Sequence, residues 1–570
     1  MGITYSGLRE ADFDRLATVA ETWKTMADTL ESEAGTVEDL KRADSADLGS
    51  ENWDGDTAEL GRDKIRELVV AFDDRSAEAR RVWTAITDAV EEFNACRSEL
   101  QGWIDEAPSR GVVIADDGTV TTPHTASTQQ QQQVLIVREE IDALLERATA
   151  ADEALKAAVG IWAGTFSESE RLDLIHQAED EAGELQDLID SGASPDAVND
   201  WWNGLSEAER LGVLEGSPAL IAGLDGVPTG TRDAANRDLL EAELDRYSPT
   251  LDGDIASLED QIAELEGDWD DIVASDDRER AMELEDLQAE LERLETQRDQ
   301  RDSLASLQEA IAGQAPSGQE YLLLGYDSAA DGKAIVSVGN PDTADNTAVY
   351  VPGTGADLDG ASRGLLDRVE AMATDASQVP GSGETAVVLW LDYDAPNNPV
   401  VDSPSISYAE DASEPLASFM SGLEATNHDP EGTTTTAVGH SYGTTVIGQS
   451  ASEHGLATDQ IVAVASPGMN VEHASDLGID PDDFYTTTAP GDIINLAAET
   501  GTHGPDPNDS GVNWDGEHVG VDWEGFGGNT FTSDDMDGNA VDIHSNYWDE
   551  GNSARKNLAY IFTGNGGEVT

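Results

Sequence analysis

The stretch "TTTTAVGHSYGTTVIGQS", residues 433–450, constrains this chain more than any other. A β-branched run leads into Gly439-His440-Ser441-Tyr442-Gly443, which matches G-x-S-x-G, and helical spacing follows in "TTVIGQSASEH". Strand, sharp turn and helix in that order hold a serine in a strained turn, and the two glycines leave clearance for the neighbouring strand and helix. The N-terminus of the following helix turns positive potential towards any negative charge that develops there. The spacing predicts Ser441 as a nucleophile, and it requires a sheet to carry it.

The surrounding texture supplies that sheet. From about residue 320 short β-rich segments alternate with Gly, Pro and Asp: "EYLLLGYD", "KAIVSVGN", "NTAVYVPGTG", "TAVVLWLDYD", "TTTTAVGHS", "QIVAVASPG" and "DFYTTTAPGD". Helical stretches between several of them, such as 361–374 and 443–454, predict βαβ crossovers and a mostly parallel sheet. The fold class expected is α/β, a mostly parallel sheet flanked by helices, preceded in the chain by an all-α region of helical hairpins and a short coiled coil.

A serine in such a turn needs partners. One oxyanion donor is the N–H of the residue after it, Tyr442, and the other belongs on a loop after an earlier strand. Pro352-Gly353-Thr354-Gly355 follows the apolar "AVYV", so Gly353 and Thr354 are the candidates; a plain glycine-rich turn is the alternative. The acid should come next in the chain and the histidine last. Asp492 follows a strand and a Pro-Gly turn in "FYTTTAPGDIINL", with Asp482, Asp483 and Asp506 as rivals. Of the C-terminal histidines His503, His518 and His544, the last stands after a short apolar segment and before a closing helix. His503 falls too soon after Asp492 for a separate loop, and His440, beside the serine, is expected to be packed. Acyl transfer by Ser441, Asp492 and His544 needs no metal or organic cofactor.

The first part of the chain reads differently. Leu16, Val19, Trp23, Met26 and Leu30 form one apolar stripe, and a second runs through Ile65, Leu68, Val69, Phe72, Val82, Trp83, Ile86, Val90 and Phe93. The break between them carries Trp53-Asp54-Gly55. On this tripeptide and its helical context residues 1–108 resemble the WXG-type hairpins exported by type VII secretion systems; Trp53 closing the hairpin by packing is the alternative. Residues 109–250 read as a β-hairpin around Asp117-Gly118, a polar tract "STQQQQQ" and helical segments. Residues 251–315 carry two heptad-like sets, Leu251 to Ile272 and Leu284 to Leu294, which predict an antiparallel coiled-coil hairpin. Residues 316–570 form the sheet-bearing domain.

Charge sets the partners. The 570 residues include 117 acidic and 31 basic side chains, a net of −86. Such a surface repels nucleic acid and anionic membranes. Its self-repulsion fades at about 1 M salt, where the screening length is roughly 3 Å, so adaptation to high salt is expected, with an ordinarily acidic protein as the alternative. No apolar run reaches the roughly 20 residues a membrane span needs. The first residues carry charges where a Sec-type leader has an apolar block, which leaves cytoplasmic residence or type VII-like export. Cys96 is the single cysteine and reads as a small core residue. Self-association through the N-terminal helices stays open.

The segments "YVPGTG", "LWLDYDAP", "VGHSYGTTV", "SPGM", "APGDIINL", "HGPDP" and "HSNYW" together resemble a bacterial α/β-hydrolase family filed as domain of unknown function 1023. The likeness covers roughly residues 320–565, with "WWNGLSEAERL" and "LDGVPTGTRDAANRDLL" resembling the helical segment that precedes it. It implies the hydrolase fold, with Ser441, Asp492 and His544 as triad and Gly353-Thr354 near the oxyanion hole. The reading it favours is a serine hydrolase acting on a small-molecule or lipid ester. The rival is a secreted scaffold whose hydrolase-like half is idle, and an antibacterial toxin would share the same architecture.

Overall fold

The structure, a computed structural model, describes residues 3–11, 13, 15–20, 22–26, 29, 56–115, 118–122, 127–162, 175–176, 178–269, 277–399, 401–430, 432–509, 525–535 and 538–570. Trp53-Asp54-Gly55, Asp117 and His518 lie outside the described residues. The chain divides into two compact units, Met1–Ala235 and Asn236–Thr570.

The first unit is helical. Helix α1 spans Asp56–Glu106 and α2 spans Thr128–Trp162. Both bury side chains at steps of four and three: Val82, Ile86, Ala89, Phe93, Cys96 and Leu100 on α1; Val137, Ile141, Leu144, Ala148 and Ala151 on α2. That alternation keeps one seam facing one partner. Burying each large aliphatic side chain contributes about 1.5–3 kcal/mol. The helices run antiparallel, since Arg110 meets Gln133 while Arg147 reaches back to Glu92 and Glu99. Between them Val113–Ile114 pairs antiparallel with Val120–Thr121, and Gly118, at positive φ, closes the turn. The glutamine tract opens α2, where Ser127 and Gln130 exchange backbone-to-side-chain hydrogen bonds. The N-terminal segment runs antiparallel to α1: Phe13 stacks on Phe93 at 4.9 Å, and Lys24 lies 5.8 Å above Trp83. Cys96 is buried, and desolvation together with nearby Glu92 pushes its thiol up to about 12, which keeps it protonated and inert.

The second unit opens with two antiparallel helices, α3 (Leu251–Gly267) and α4 (Arg278–Ala310). Ile262, Leu265 and Leu284 share a small core, and Arg301 with Asp252 and Arg280 with Asp268 pair at opposite ends.

Eight strands follow: β1 (Tyr321–Asp327), β2 (Lys333–Val338), β3 (Asn346–Val351), β4 (Thr385–Leu391), β5 (Thr434–His440), β6 (Gln460–Val464), β7 (Phe484–Thr487) and β8 (Asn529–Thr530). Their order across the sheet is 1-2-4-3-5-6-7-8; β1, β2 and β4 pair antiparallel in turn, and every other neighbour is parallel. Every residue of β3, β4 and β6 is buried, as central parallel strands covered on both faces require. Helices α5 (Leu366–Ser377), α6 (Ser407–Thr426), α7 (Tyr442–Glu453) and α8 (Ser553–Phe562) flank the sheet. The expected α/β fold, a mostly parallel sheet behind a helical region, is what the chain adopts. The eighth strand was not expected, because two residues, Asn529 and Thr530, are too short to show an alternating pattern.

Register positions the site. Val351 of β3, Gly439 of β5 and Ala463 of β6 lie abreast, so the loops after these strands leave the sheet side by side at its carboxyl edge.

Candidate active site

β5 ends at His440, α7 starts at Tyr442, and Ser441 makes the whole turn between them at φ 55°, ψ −128°. A positive φ on a residue with a Cβ costs on the order of 1–3 kcal/mol, and such strain persists only where the surroundings impose it. The Ser441 N–H donates to the Val464 carbonyl at 3.0 Å, and its own carbonyl accepts from Thr444 N–H and Oγ1 at 3.0 and 2.8 Å. Close approach explains the glycine at 443: a Cβ there would run into the Val351 carbonyl oxygen.

The serine, the histidine and one carboxylate form a continuous chain. Ser441 Oγ lies 2.9 Å from His544 Nε2, and His544 Nδ1 lies 2.9 and 3.0 Å from the two oxygens of Asp492. A carboxylate only accepts, so His544 Nδ1–H donates to Asp492 and Nε2 accepts from the serine hydroxyl. The Asp492 side chain is fully enclosed, whereas that of His544 is 20% exposed and reaches towards solvent. Two further donors satisfy the enclosed carboxylate: the Ile494 N–H at 2.7 Å and the Tyr547 hydroxyl at 2.6 Å. Tyr547 is itself oriented, since its oxygen accepts from the Ala489 N–H at 2.9 Å. Burial and the adjacent Asp492 raise its pKa far above the ordinary tyrosine value, so the phenol keeps the proton it donates.

Gly353 lies directly against the elbow. A Cβ on it would stand 2.7 Å from Ser441 Cβ and 2.9 Å from the Tyr442 nitrogen. Among the described residues no acceptor lies on the N–H groups of Gly353, Thr354 or Tyr442. Thr354 Oγ1 lies 2.8 Å from Ser403 Oγ, and the Tyr442 hydroxyl donates to the Ser405 carbonyl, which fixes both loops around the serine.

The remaining candidates fall elsewhere. Asp482 and Asp483 sit in the turn that enters β7, at the opposite end of that strand from Asp492. Asp506 accepts from the Asn508 N–H within its own loop. His503 Nε2 donates to the Ser403 carbonyl at 2.7 Å while its ring stands edge-on to Tyr442 at 5.5 Å.

His440 is packed, as expected, but it also holds the histidine of the chain in place. Its Nε2 donates to the His544 carbonyl at 2.8 Å, and the two rings lie 4.8 Å apart. Burial, then His544 and Arg368, push its pKa well below the ordinary histidine range, so it stays neutral. Nδ1 is left to accept from Arg368, whose guanidinium also bonds the Tyr350 hydroxyl at 2.9 Å and lies 4.7 Å over Trp548. Tyr547, Trp548 and Arg368 were missed from sequence, although "HSNYW" placed the two aromatics three and four residues after His544. Among the described residues no group of three His, Cys, Asp or Glu side chains is arranged to hold a metal, and no helix is long and apolar enough to cross a membrane.

A β5–elbow–α7 turn on a mostly parallel sheet, with a hydrogen-bonded Ser, His and Asp at its carboxyl edge, defines an α/β hydrolase. A family profile described as an alpha/beta hydrolase matches residues 327–502, and the chain belongs to that family through its C-terminal half. An uncharacterized protein of Mycobacterium bovis, Mb0988c, is 30% identical over 224 residues, 38% of this chain and 82% of that protein. The uncharacterized protein Rv2079 of Mycobacterium tuberculosis is 27% identical over 394 residues, 66% of this chain. The match to Rv2079 spans 56% of that relative's length. No solved structure matches the chain.

Proposed function

We propose that the C-terminal unit is a serine hydrolase that cleaves carboxylic esters through an acyl-enzyme. The observation that carries this reading is the unbroken relay from Ser441 Oγ through His544 to Asp492, with both junctions at about 2.9 Å. As His544 Nε2 takes its proton, Ser441 Oγ attacks the ester carbonyl carbon and the carbonyl π pair moves to oxygen. The N–H groups of Tyr442 and of Gly353 or Thr354 receive that oxyanion, and the α7 N-terminus adds favourable potential. Collapse of the tetrahedral intermediate expels the alkoxide, which leaves as the alcohol with the proton from His544. Water, deprotonated by the same imidazole, then attacks the acyl-serine and releases the acid.

Asp492 holds the tautomer and stabilises the imidazolium, and Tyr547 holds Asp492. The acidic surface is read as an adaptation to molar salt, where its self-repulsion is screened.

A fluorophosphonate probe at molar salt tests the reading. Wild-type protein labels, and Ser441→Ala does not. Folded wild-type protein that stays unlabelled would favour the non-catalytic scaffold instead.

A further inference from the structure

Among the described residues of 316–570, the exposed large aliphatic side chains are Val401, Ile493, Leu496 and Val541. Large exposed aliphatics are costly in water and carry information when they gather rather than scatter. All four gather on the loops that carry the site. Ile493 follows Asp492 directly, and Leu496 lies one turn further, its N–H donating to the Ile493 carbonyl. The Ile493 N–H donates to the Ala540 carbonyl at 3.1 Å, which brings Val541 alongside, three residues before His544. On the loop that meets Thr354, Val401 stands two residues before Ser403, whose hydroxyl touches the Thr354 hydroxyl. The loops that carry or touch the site residues thus bear a set of exposed aliphatic side chains, an aliphatic rim.

We propose that this rim is the substrate subsite, and that it takes neutral esters carrying an aliphatic chain. The proposal rests on the serine-hydrolase reading and adds the substrate class to it. Chain methylenes laid along Ile493, Leu496, Val541 and Val401 leave water together with the protein's own exposed aliphatics, so both surfaces gain. The four exposed side chains are uncharged and offer no partner to an ionic group, so the bound ester is neutral.

Two ester series, each kept below its aggregation concentration, test this: p-nitrophenyl acetate to octanoate, and methyl to octyl acetate. In at least one series kcat/KM rises about tenfold or more with chain length. In Leu496→Ser/Val541→Ser the ratio of longest to shortest substrate falls towards one, with circular dichroism confirming the fold. A flat profile in both series, with hydrolysis still abolished by Ser441→Ala, overturns the subsite and leaves the hydrolase intact. A preference that survives the double substitution overturns it as well. One that arises only above the aggregation concentration assigns the rim to a lipid surface and contradicts a single-chain subsite. No hydrolysis of any ester sinks both proposals.

Discussion

In the helical unit the residues that matter recur. Ala89, Phe93, Cys96 and Leu100 repeat every three or four positions and do one job together, burying a seam against α2. At the carboxyl edge of the sheet nothing recurs. Gly353, Ser441, Asp492 and His544 come from four separate loops; hydrogen bonds of 2.6–3.0 Å fix the last three, and Gly353 packs against the elbow. The first region spreads its free energy over many interchangeable contacts. The second concentrates its chemistry in a few irreplaceable ones. Substitutions in the two regions should therefore fail in different assays.

The largest expected effect lies at the rim. Ser441→Ala or His544→Ala should lower kcat by about 10⁴–10⁶-fold while the melting temperature barely moves, and Asp492→Asn by about 10⁴-fold. Steady-state kinetics beside thermal melts checks this, and a large loss of stability in Ser441→Ala would blur the contrast. The seam should behave in the opposite way. Leu100→Ala or Leu144→Ala should cost about 2–5 kcal/mol in denaturant melts of the first unit, with kcat per folded molecule unchanged.

Smaller effects refine the rim. Tyr547→Phe removes one donor from an enclosed carboxylate, a loss of about 1.5–3 kcal/mol and so of roughly ten- to a hundredfold in kcat. His440→Ala should lower kcat about tenfold with KM little changed, and His440→Gln should recover part of it, because its amide can still donate to the His544 carbonyl.

The pH dependence of stability has a definite sign. His440 is held neutral by burial and by its neighbours, so the unfolded chain binds a proton that the folded chain does not. Its contribution is present above the ordinary histidine value of about 6.5 and is lost as pH falls below it. Melting temperature against pH should be shallower on the acid side in His440→Gln. Last, both units should melt higher as salt rises from about 0.1 M to about 2 M, because screening relieves the shared acidic repulsion. A flat salt profile would remove the high-salt adaptation from the account.

The same contrast explains what could be read in advance. The seven longer strands announce themselves as β-branched runs bounded by Gly, Pro and Asp. Ser441 is marked by its elbow, while Asp492 and His544 are marked by their order and by closing a strand and a short apolar segment. Tyr547, Arg368 and the active role of His440 were not legible, because a donor to a carboxylate or a carbonyl has no spacing rule. Only the fold brings Arg368 on α5, His440 at the end of β5 and Trp548 near the C-terminus into one layer. Gly353 was legible as a glycine after a strand, but not that its Cα lies against the Tyr442 nitrogen.

The most direct test of the central claim is a rapid quench with p-nitrophenyl butyrate at molar salt, followed by mass spectrometry of the peptides. The account predicts a butyryl increment on the peptide that carries Ser441, appearing within the first turnover and absent from Ser441→Ala. Hydrolysis that proceeds with Ser441 unmodified at every quench time, or an adduct on another residue, would contradict it.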